Sequence, residues 1–296
     1  MEVRVLRYFL TVAREESITK AAEVLHITQP TLSRQLSQLE EETGTQLFHR
    51  GSRKITLTEE GRLLRRRAEE ILELVDKTSR ELHSSGGELE GTITIGSGEF
   101  SAVRVLSDLC ASFQKQHPRV RFEIYTATAD VVRECMERGL IDVGLLLEPV
   151  DMERFEFIRL RLPERWAVLM RPDDPLARLD GLTAKELSAL PLILPLRLNV
   201  RSELASWFGD DFDKLNVVIT GNFATNLAGM VLQGMGYAIT LEGAVSLWDS
   251  RQIIAKPLIP ELPASTVLAW RRGQPSSRTV AAFLEYAKCF LGMDQA

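Results

Sequence analysis

The sequence predicts an α/β protein in three parts: a small three-helix head carrying a β-hairpin, one long helix, and a two-lobed α/β domain. Three observations predict it. Apolar residues recur at helical spacing through three short segments before residue 40, a longer stretch from Glu59 keeps that spacing unbroken, and beyond Thr92 short apolar strands alternate with helical segments. With 296 residues and 45% hydrophobic content, the chain can fill two or three cores of this kind.

The first helix is marked by Leu6, Phe9, Leu10 and Ala13, at i, i+3, i+4 and i+7. The second runs from Ile18 to Leu25, where Ile18, Ala21, Ala22 and Leu25 share a face and the alanines let two helices cross closely. His26 and Ile27 leave only a tight turn before Thr28, whose hydroxyl can cap a third helix, and Pro30, which falls in that helix's first turn, where a missing N–H costs nothing. Leu32, Leu36 and Leu39 form its buried face, while Gln29, Thr31, Ser33, Arg34, Gln35 and Gln38 project elsewhere. An ordinary amphipathic helix would explain the periodicity. The polar, nearly uncharged outer face is better matched to a DNA major groove, where amides and guanidinium pair with base edges and hydroxyls reach phosphates. Three helices sharing one core in this order follow helix-turn-helix logic.

Between Leu47 and Thr58 a Gly-Ser turn sits among Arg50, Arg53 and Lys54 and leads into an alternating strand, Lys54 to Leu57, which reads as a basic hairpin wing. The chain as a whole carries −5, yet Thr43 to Thr58 holds three cations and no acid, so phosphate contact is local. Residues 1–90 hold 14 cations and 16 acids, so DNA binding cannot rest on bulk charge and calls for two copies of the head. The long helix supplies a way to pair them. Over residues 59–84, Leu64, Ala68, Ile71, Val75, Thr78 and Leu82 alternate by four and three as a heptad seam, and about 25 residues at about 1.5 Å each span nearly 40 Å. The alternative is a helix packed only on its own head. Arg62, Arg65, Arg66 and Arg67 crowd its start and receive no specific role.

Ser84, Ser85, Gly86 and Gly87 break the helix, which places a boundary between residues 85 and 91. Strands are expected at Thr92–Ile95, Val120–Tyr125, Asp142–Leu147, Trp166–Met170, Leu192–Leu194, Val217–Thr220, Tyr237–Leu241 and Val267–Trp270, with helices between them. This spacing implies mostly parallel sheets in two subdomains, the chain crossing near residue 162 and returning near residue 265. Open α/β sheets bind ligands beyond the carboxyl ends of their strands. Four loops fit that description: Ser97 to Ser101, Thr126 and Thr128, Asn199 to Arg201, and Asn222 to Thr225.

The run AAEVLHITQPTLSRQLSQLEEETGTQLFHR followed by LTEEG resembles the winged helix-turn-helix of LysR-type transcriptional regulators. Ala21, Ala22, Leu25, Gln29, Pro30, Ser33, Leu39, Glu40, Gly44, Leu47, Phe48, Arg50, Thr58 and Gly61 all stand at the family's spacing, with Thr28 and Glu60 as small departures from it. A weaker likeness continues in Gly139, Ile141, Asp142, Val143 and Gly144, and in Val231 with Gly234 to Ala238, where the family's following proline is missing. The resemblance implies a winged helix-turn-helix DNA-binding domain at 1–58, a linker dimerisation helix at 59–85, and a two-subdomain α/β effector domain of periplasmic-binding-protein type at 91–296. Subdomain I would comprise about 91–162 and 265–296, and subdomain II about 163–264.

The resemblance further implies a cytoplasmic regulator that binds double-stranded DNA as a homodimer paired into a tetramer, with RNA polymerase as a further partner. Gln29, Pro30, Ser33 and Arg34 would read bases, with Thr28, Thr31 and Lys54 beside them. Arg53 would enter the minor groove or hold phosphate, and Arg50 would contact DNA or anchor the wing. The effector pocket would draw on Ser97, Phe100, Ser101, Thr128, Asn199, Arg201, Phe223 and Thr225. Hydroxyls, helix ends and one guanidinium suit a small organic anion such as a carboxylate. Helix capping is the plainer role for each hydroxyl and amide, and a surface salt bridge for Arg201.

No catalysis, cofactor or metal is expected, because His26, His49, His83 and His117 are scattered and no nucleophile elbow appears. Cys110, Cys135 and Cys289 fall on helices as reduced thiols, and residues 190–210 lack the cysteine a peroxide sensor of this family would carry there. No apolar run of membrane-spanning length occurs. One rival reading is a nicotinamide-dependent enzyme using the GSGEFS loop at 96–101, although the nearest downstream acid, Glu123, sits mid-strand. A solute-binding protein would share the lobes and leave residues 1–58 unexplained.

Overall fold

The computed structural model describes residues 1–50, 54–83, 88–245, 248–273 and 277–292, with the backbone alone for residues 50, 80–83 and 198. The chain divides into two compact units, Met1–Ser85 and Gly86–Ala296.

The first unit contains α1 (Val3–Glu15), α2 (Ile18–Val24), α3 (Gln29–Thr43), β1 (Phe48–Arg50), β2 (Ile55–Leu57) and α4 (Glu59–His83). Ser17 caps α2 and Thr28 caps α3 through their side-chain oxygens, and Gly44, at φ +69°, ends α3 in the left-handed conformation that glycine adopts without strain. Leu32, Leu36 and Leu39 are buried as their spacing predicts. On α1 the buried stripe is Val5, Leu6, Phe9 and Val12. It is rotated from the expected Leu10 and Ala13 because α2, α3 and α4 all pack on this helix. The Phe9 and Phe48 rings, 5.2 Å apart, join helices to wing in that core.

The heptad seam expected on α4 divides in two. Ala68 and Leu72 are buried in the head's core, with Leu64 packed beside them, whereas Leu63, Ile71 and Leu74 are exposed on another face. A single helix rotates about 100° per residue, so the stripe that α1 covers cannot also be the stripe left for a partner. Thr78 is exposed and Val75 half-buried, while Leu82 has no described side chain.

The second unit continues with β3 (Glu90–Ser97), α5 (Val103–Gln116), β4 (Arg119–Thr126), α6 (Ala129–Glu137), β5 (Val143–Leu147), β6 (Phe155–Leu160), β7 (Trp166–Met170), β8 (Leu182–Thr183), α7 (Ala184–Ser188), β9 (Pro191–Pro195), α8 (Leu198–Phe208), β10 (Asn216–Gly221), α9 (Ala224–Leu232), β11 (Tyr237–Leu241), β12 (Ile254–Ile259), β13 (Thr266–Arg271) and α10 (Arg278–Phe290). Two sheets result. Lobe one has the order β4-β3-β5-β13-β6 and lobe two the order β10-β9-β11-β7-β12-β8.

The expectation of mostly parallel sheets holds only narrowly: five of the nine strand pairings described in the two sheets are parallel and four are antiparallel. β3 lies parallel to β4 and β5, but β13 runs antiparallel to β5 and β6, and β7 antiparallel to β11 and β12. The cause is the double crossing. The chain passes from lobe one to lobe two after β6 and returns after β12, and the two crossing segments meet antiparallel at Arg165 and Pro263. Each sheet therefore receives a strand of opposite sense. β6, β8 and β12 escaped sequence reading because β8 has two residues and β12 carries Pro257, which weakens a strand reading. Among the described residues, no helix is long and apolar enough to cross a membrane.

Burial pushes the Cys110 thiol up to about 12, whereas Cys289 is exposed, and none of the three cysteines forms a disulfide. The thiolate is the reactive form. Iodoacetamide at pH 8 should therefore modify Cys289 faster than Cys110, as read by peptide mass spectrometry; equal rates for the two in the native protein would contradict the difference in exposure.

Candidate functional site

The polar face of α3 is held in place by its neighbours. The Glu40 carboxylate accepts from the backbone N–H groups of Leu47 (2.7 Å) and Phe48 (3.2 Å), tying the start of the wing to the helix. The Thr58 hydroxyl donates to the Gln46 carbonyl at 2.8 Å and accepts from Gly61 N–H at 2.9 Å, closing the wing onto α4. Lys54 pairs with Glu16, and Ile55 N–H donates to the Glu16 carbonyl at 3.1 Å. A side chain at Gly61 would meet the Leu47 carbonyl oxygen at 2.1 Å. Gly61→Ala should thus destabilise the head by about 1–3 kcal/mol, the usual cost of overpacking, in a thermal melt; an unchanged midpoint would deny the contact.

On that frame, Gln29, Pro30, Thr31 and Arg34 are exposed and Ser33 is half-exposed. The side chains of Gln29, Ser33 and Arg34 bond no other described residue, whereas the Thr28 and Thr31 hydroxyls bond each other at 2.8 Å. Thr28 and Thr31 thus serve the cap first, and Lys54 an ion pair. The Arg50 side chain and Arg53 lie outside the described residues.

In the second unit, three of the four expected segments follow the carboxyl ends of β3, β4 and β10, the fourth, Asn199 to Arg201, lies within α8, and pockets open among the first three. One, an inter-lobe cleft, is lined by Phe100, Thr128 and Phe223 of the expected set, together with Trp166, Arg197 and Asn222. Ser97, Ser101 and Thr225 line a neighbouring pocket instead, and Asn199 and Arg201 line neither. The reason is one helical turn: Asn199 and Arg201 lie inside α8, whereas Arg197 directly precedes it, and Arg201 N–H donates back to the Arg197 carbonyl.

Arg197 is engaged on all sides. Its guanidinium donates to both Asp130 oxygens (2.8 and 3.1 Å), to the Leu147 carbonyl (2.9 Å) and to the Pro149 carbonyl, all on lobe one. A second tie crosses the cleft from the other side. The Glu99 carboxylate accepts from Thr225 N–H (2.9 Å) and hydroxyl (2.7 Å), at the N-terminus of α9 where the helix dipole favours an anion. The cleft between these ties measures about 80 Å³, against about 300–1,000 Å³ for typical small-molecule sites. It is shut.

Ser97 and Ser101 are occupied by structure. The Ser97 hydroxyl donates to the Gly98 carbonyl at 3.0 Å, and Ser101 donates through both its N–H (2.9 Å) and its hydroxyl to the buried Glu164 carboxylate in the crossing segment, which also takes Gly243 N–H at 2.9 Å. A pyrophosphate at the GSGEFS loop would compete with that carboxylate for the Ser101 N–H, which weakens the nicotinamide reading. Trp166, at the start of β7, is the feature the sequence did not single out. Trp166 is among the residues that line the cleft, and its indole N–H is buried with no acceptor among the described residues, a state that costs about 1–3 kcal/mol. Nothing in the apolar run WAVLM marks that tryptophan apart from a core residue.

Comparison with known proteins joins the two units. The family model described as bacterial regulatory helix-turn-helix protein, lysR family, matches residues 3–62, and that of the LysR substrate binding domain matches residues 86–291. The Hca operon transcriptional activator HcaR of Escherichia coli (strain K12) is 30% identical over 293 residues, covering 96% of this chain and 97% of its own. BenM of Acinetobacter baylyi (strain ATCC 33305 / BD413 / ADP1) is 39% identical over 144 residues, 49% of this chain and 47% of its own. The crystal structure of full-length CbnR with its target DNA shares the fold at a TM-score of 0.76 and 21% identity, covering 98% of this chain and 100% of that one. A helix-turn-helix head, a two-sheet α/β domain and full-length likeness to an operon regulator lead to one conclusion: the chain belongs to the LysR family of DNA-binding transcriptional regulators and is not an enzyme.

Proposed function

We propose that this regulator reads DNA with Gln29, Pro30, Ser33 and Arg34 of α3 and is controlled by a small organic molecule bound between lobes one and two. The observation that carries the DNA assignment is the exposed amide, hydroxyl and guanidinium set on a capped helix, none of it bonded to another described residue. Such groups reach major-groove base edges, and Arg53 and Lys54 are the cations proposed to add phosphate contact. The exposed Leu63, Ile71 and Leu74 on α4 suit helix pairing in a homodimer, which brings two heads to one partly palindromic site. Two such dimers make the tetramer, and the protein acts in the cytoplasm.

Ligand entry has to open the cleft, so occupancy changes the angle between the lobes, and α4 carries the change to the DNA contacts and to RNA polymerase. The carboxylate effector expected from the sequence drew its cation from Arg201. With Arg201 outside the cleft lining, that support is withdrawn.

Selection of host genomic fragments bound by the purified protein, at two salt concentrations, tests the DNA reading. A shared, partly palindromic motif retained at the higher salt is expected. Weak, sequence-independent binding erased by salt would overturn it.

A further inference from the structure

We propose that the inter-lobe cleft takes an uncharged, largely apolar organic molecule whose carbonyl oxygen accepts a hydrogen bond from the Trp166 indole N–H; the inference rests on the ligand-controlled reading above. Three observations converge on it. Trp166 is 3% exposed, lines the cleft, and has the one buried side-chain polar atom without a partner among the described residues. Buried donors are almost always satisfied, and an acceptor brought by a ligand satisfies this one. Next, the cleft's charges are already paired within the protein. Arg197 is the one cation among the lining residues, and its guanidinium is held by Asp130 and two carbonyls. The α9 N-terminus, which would attract an anionic ligand, is occupied by the Glu99 carboxylate. An incoming carboxylate would lose its water, meet no available cation, and face the like charge of Glu99.

Finally, the remaining lining is built for apolar surface with a few polar contacts. Phe100, Phe223, Leu147 and Ile239 supply the walls, and Thr128 and Thr240 carry hydroxyls that bond no other described residue. An uncharged ring with one carbonyl satisfies these demands together.

The test uses the full-length protein and matched probes: acetophenone, cyclohexanone and benzamide against benzoate and cyclohexanecarboxylate, by titration calorimetry. The uncharged members should bind at least tenfold more tightly than the acids. Trp166→Phe should weaken them about fivefold, the worth of one hydrogen bond, while leaving DNA-site selection unchanged. If that variant does not fold, wild-type protein labelled with 5-fluorotryptophan gives the same reading. Its four tryptophan resonances are assigned by Trp207→Phe, Trp248→Phe and Trp270→Phe, and the Trp166 signal should move on adding the ketone. Acids binding as well as or better than the uncharged probes, no uncharged probe binding, or an unmoved Trp166 signal would overturn the proposal. Acids that bind and alter the DNA footprint would remove this inference and leave ligand control standing. Loss of sequence-selective DNA binding in the parent protein would instead count against the regulator's proposed reading head.

Discussion

Arg34→Ala should lower affinity for the cognate site by about 30-fold or more, because a bidentate guanidinium–guanine contact is worth about 1–3 kcal/mol and a dimer makes it twice. Binding to random DNA should fall only a few-fold. Arg34 is exposed on α3 and bonds no other described residue, so its removal leaves no buried partner behind and the head keeps its core of Leu32, Leu36 and Leu39. The salt slope separates base reading from phosphate contact. A base-reading arginine reduces affinity at one position of the site with little change in slope, whereas a phosphate contact weakens all sequences and lowers the slope by about one per site. Equal losses on cognate and random duplexes would remove Arg34 from the reading set.

The head was legible in the sequence because each of its constraints is local. Thr28, Pro30 and the leucine spacing fix α3 within fifteen residues, and Gly44 ends it. The strands of the second unit were legible wherever they are buried and continuous, as in Trp166–Met170, every residue of which is buried. What the sequence hid depends on long-range meetings. Arg197 and Asp130 stand 67 residues apart, and Glu99 and Thr225 stand 126 apart. No periodicity links such pairs. Ser101 looked like a ligand contact because it follows a strand, yet its hydroxyl answers Glu164, 63 residues away in the crossing segment. The α4 seam misled for a different reason: a heptad pattern states that apolar faces exist, and only packing shows which face α1 takes.

Arg197→Met should give the largest effect in the second unit, and on two readouts at once. The substitution keeps an apolar stem and removes a guanidinium whose side chain is 8% exposed, leaving the Leu147 and Pro149 carbonyls and the Asp130 carboxylate without their donor. Breaking a buried charge pair costs about 3–5 kcal/mol. Asp130 is 46% exposed and regains water, so the cost falls to the bottom of that range or below it, about 2–3 kcal/mol. For a unit of this size that corresponds to a fall of about 4–12 °C in its melting midpoint. The second readout is functional. Arg197 joins lobe two to α6 and to the end of β5 in lobe one, so of the two ties its loss leaves Glu99–Thr225, on the other side of the cleft. An exposed carboxylate–helix contact is worth about 0.3–1 kcal/mol, too little to keep the cleft shut against the population of open forms. Arg197→Met should therefore show, without ligand, the DNA footprint that the wild type shows only with it, and Glu99→Gln should move the footprint in the same direction by a smaller amount. A variant that melts with the wild type and keeps the unliganded footprint would show that the guanidinium does not govern closure.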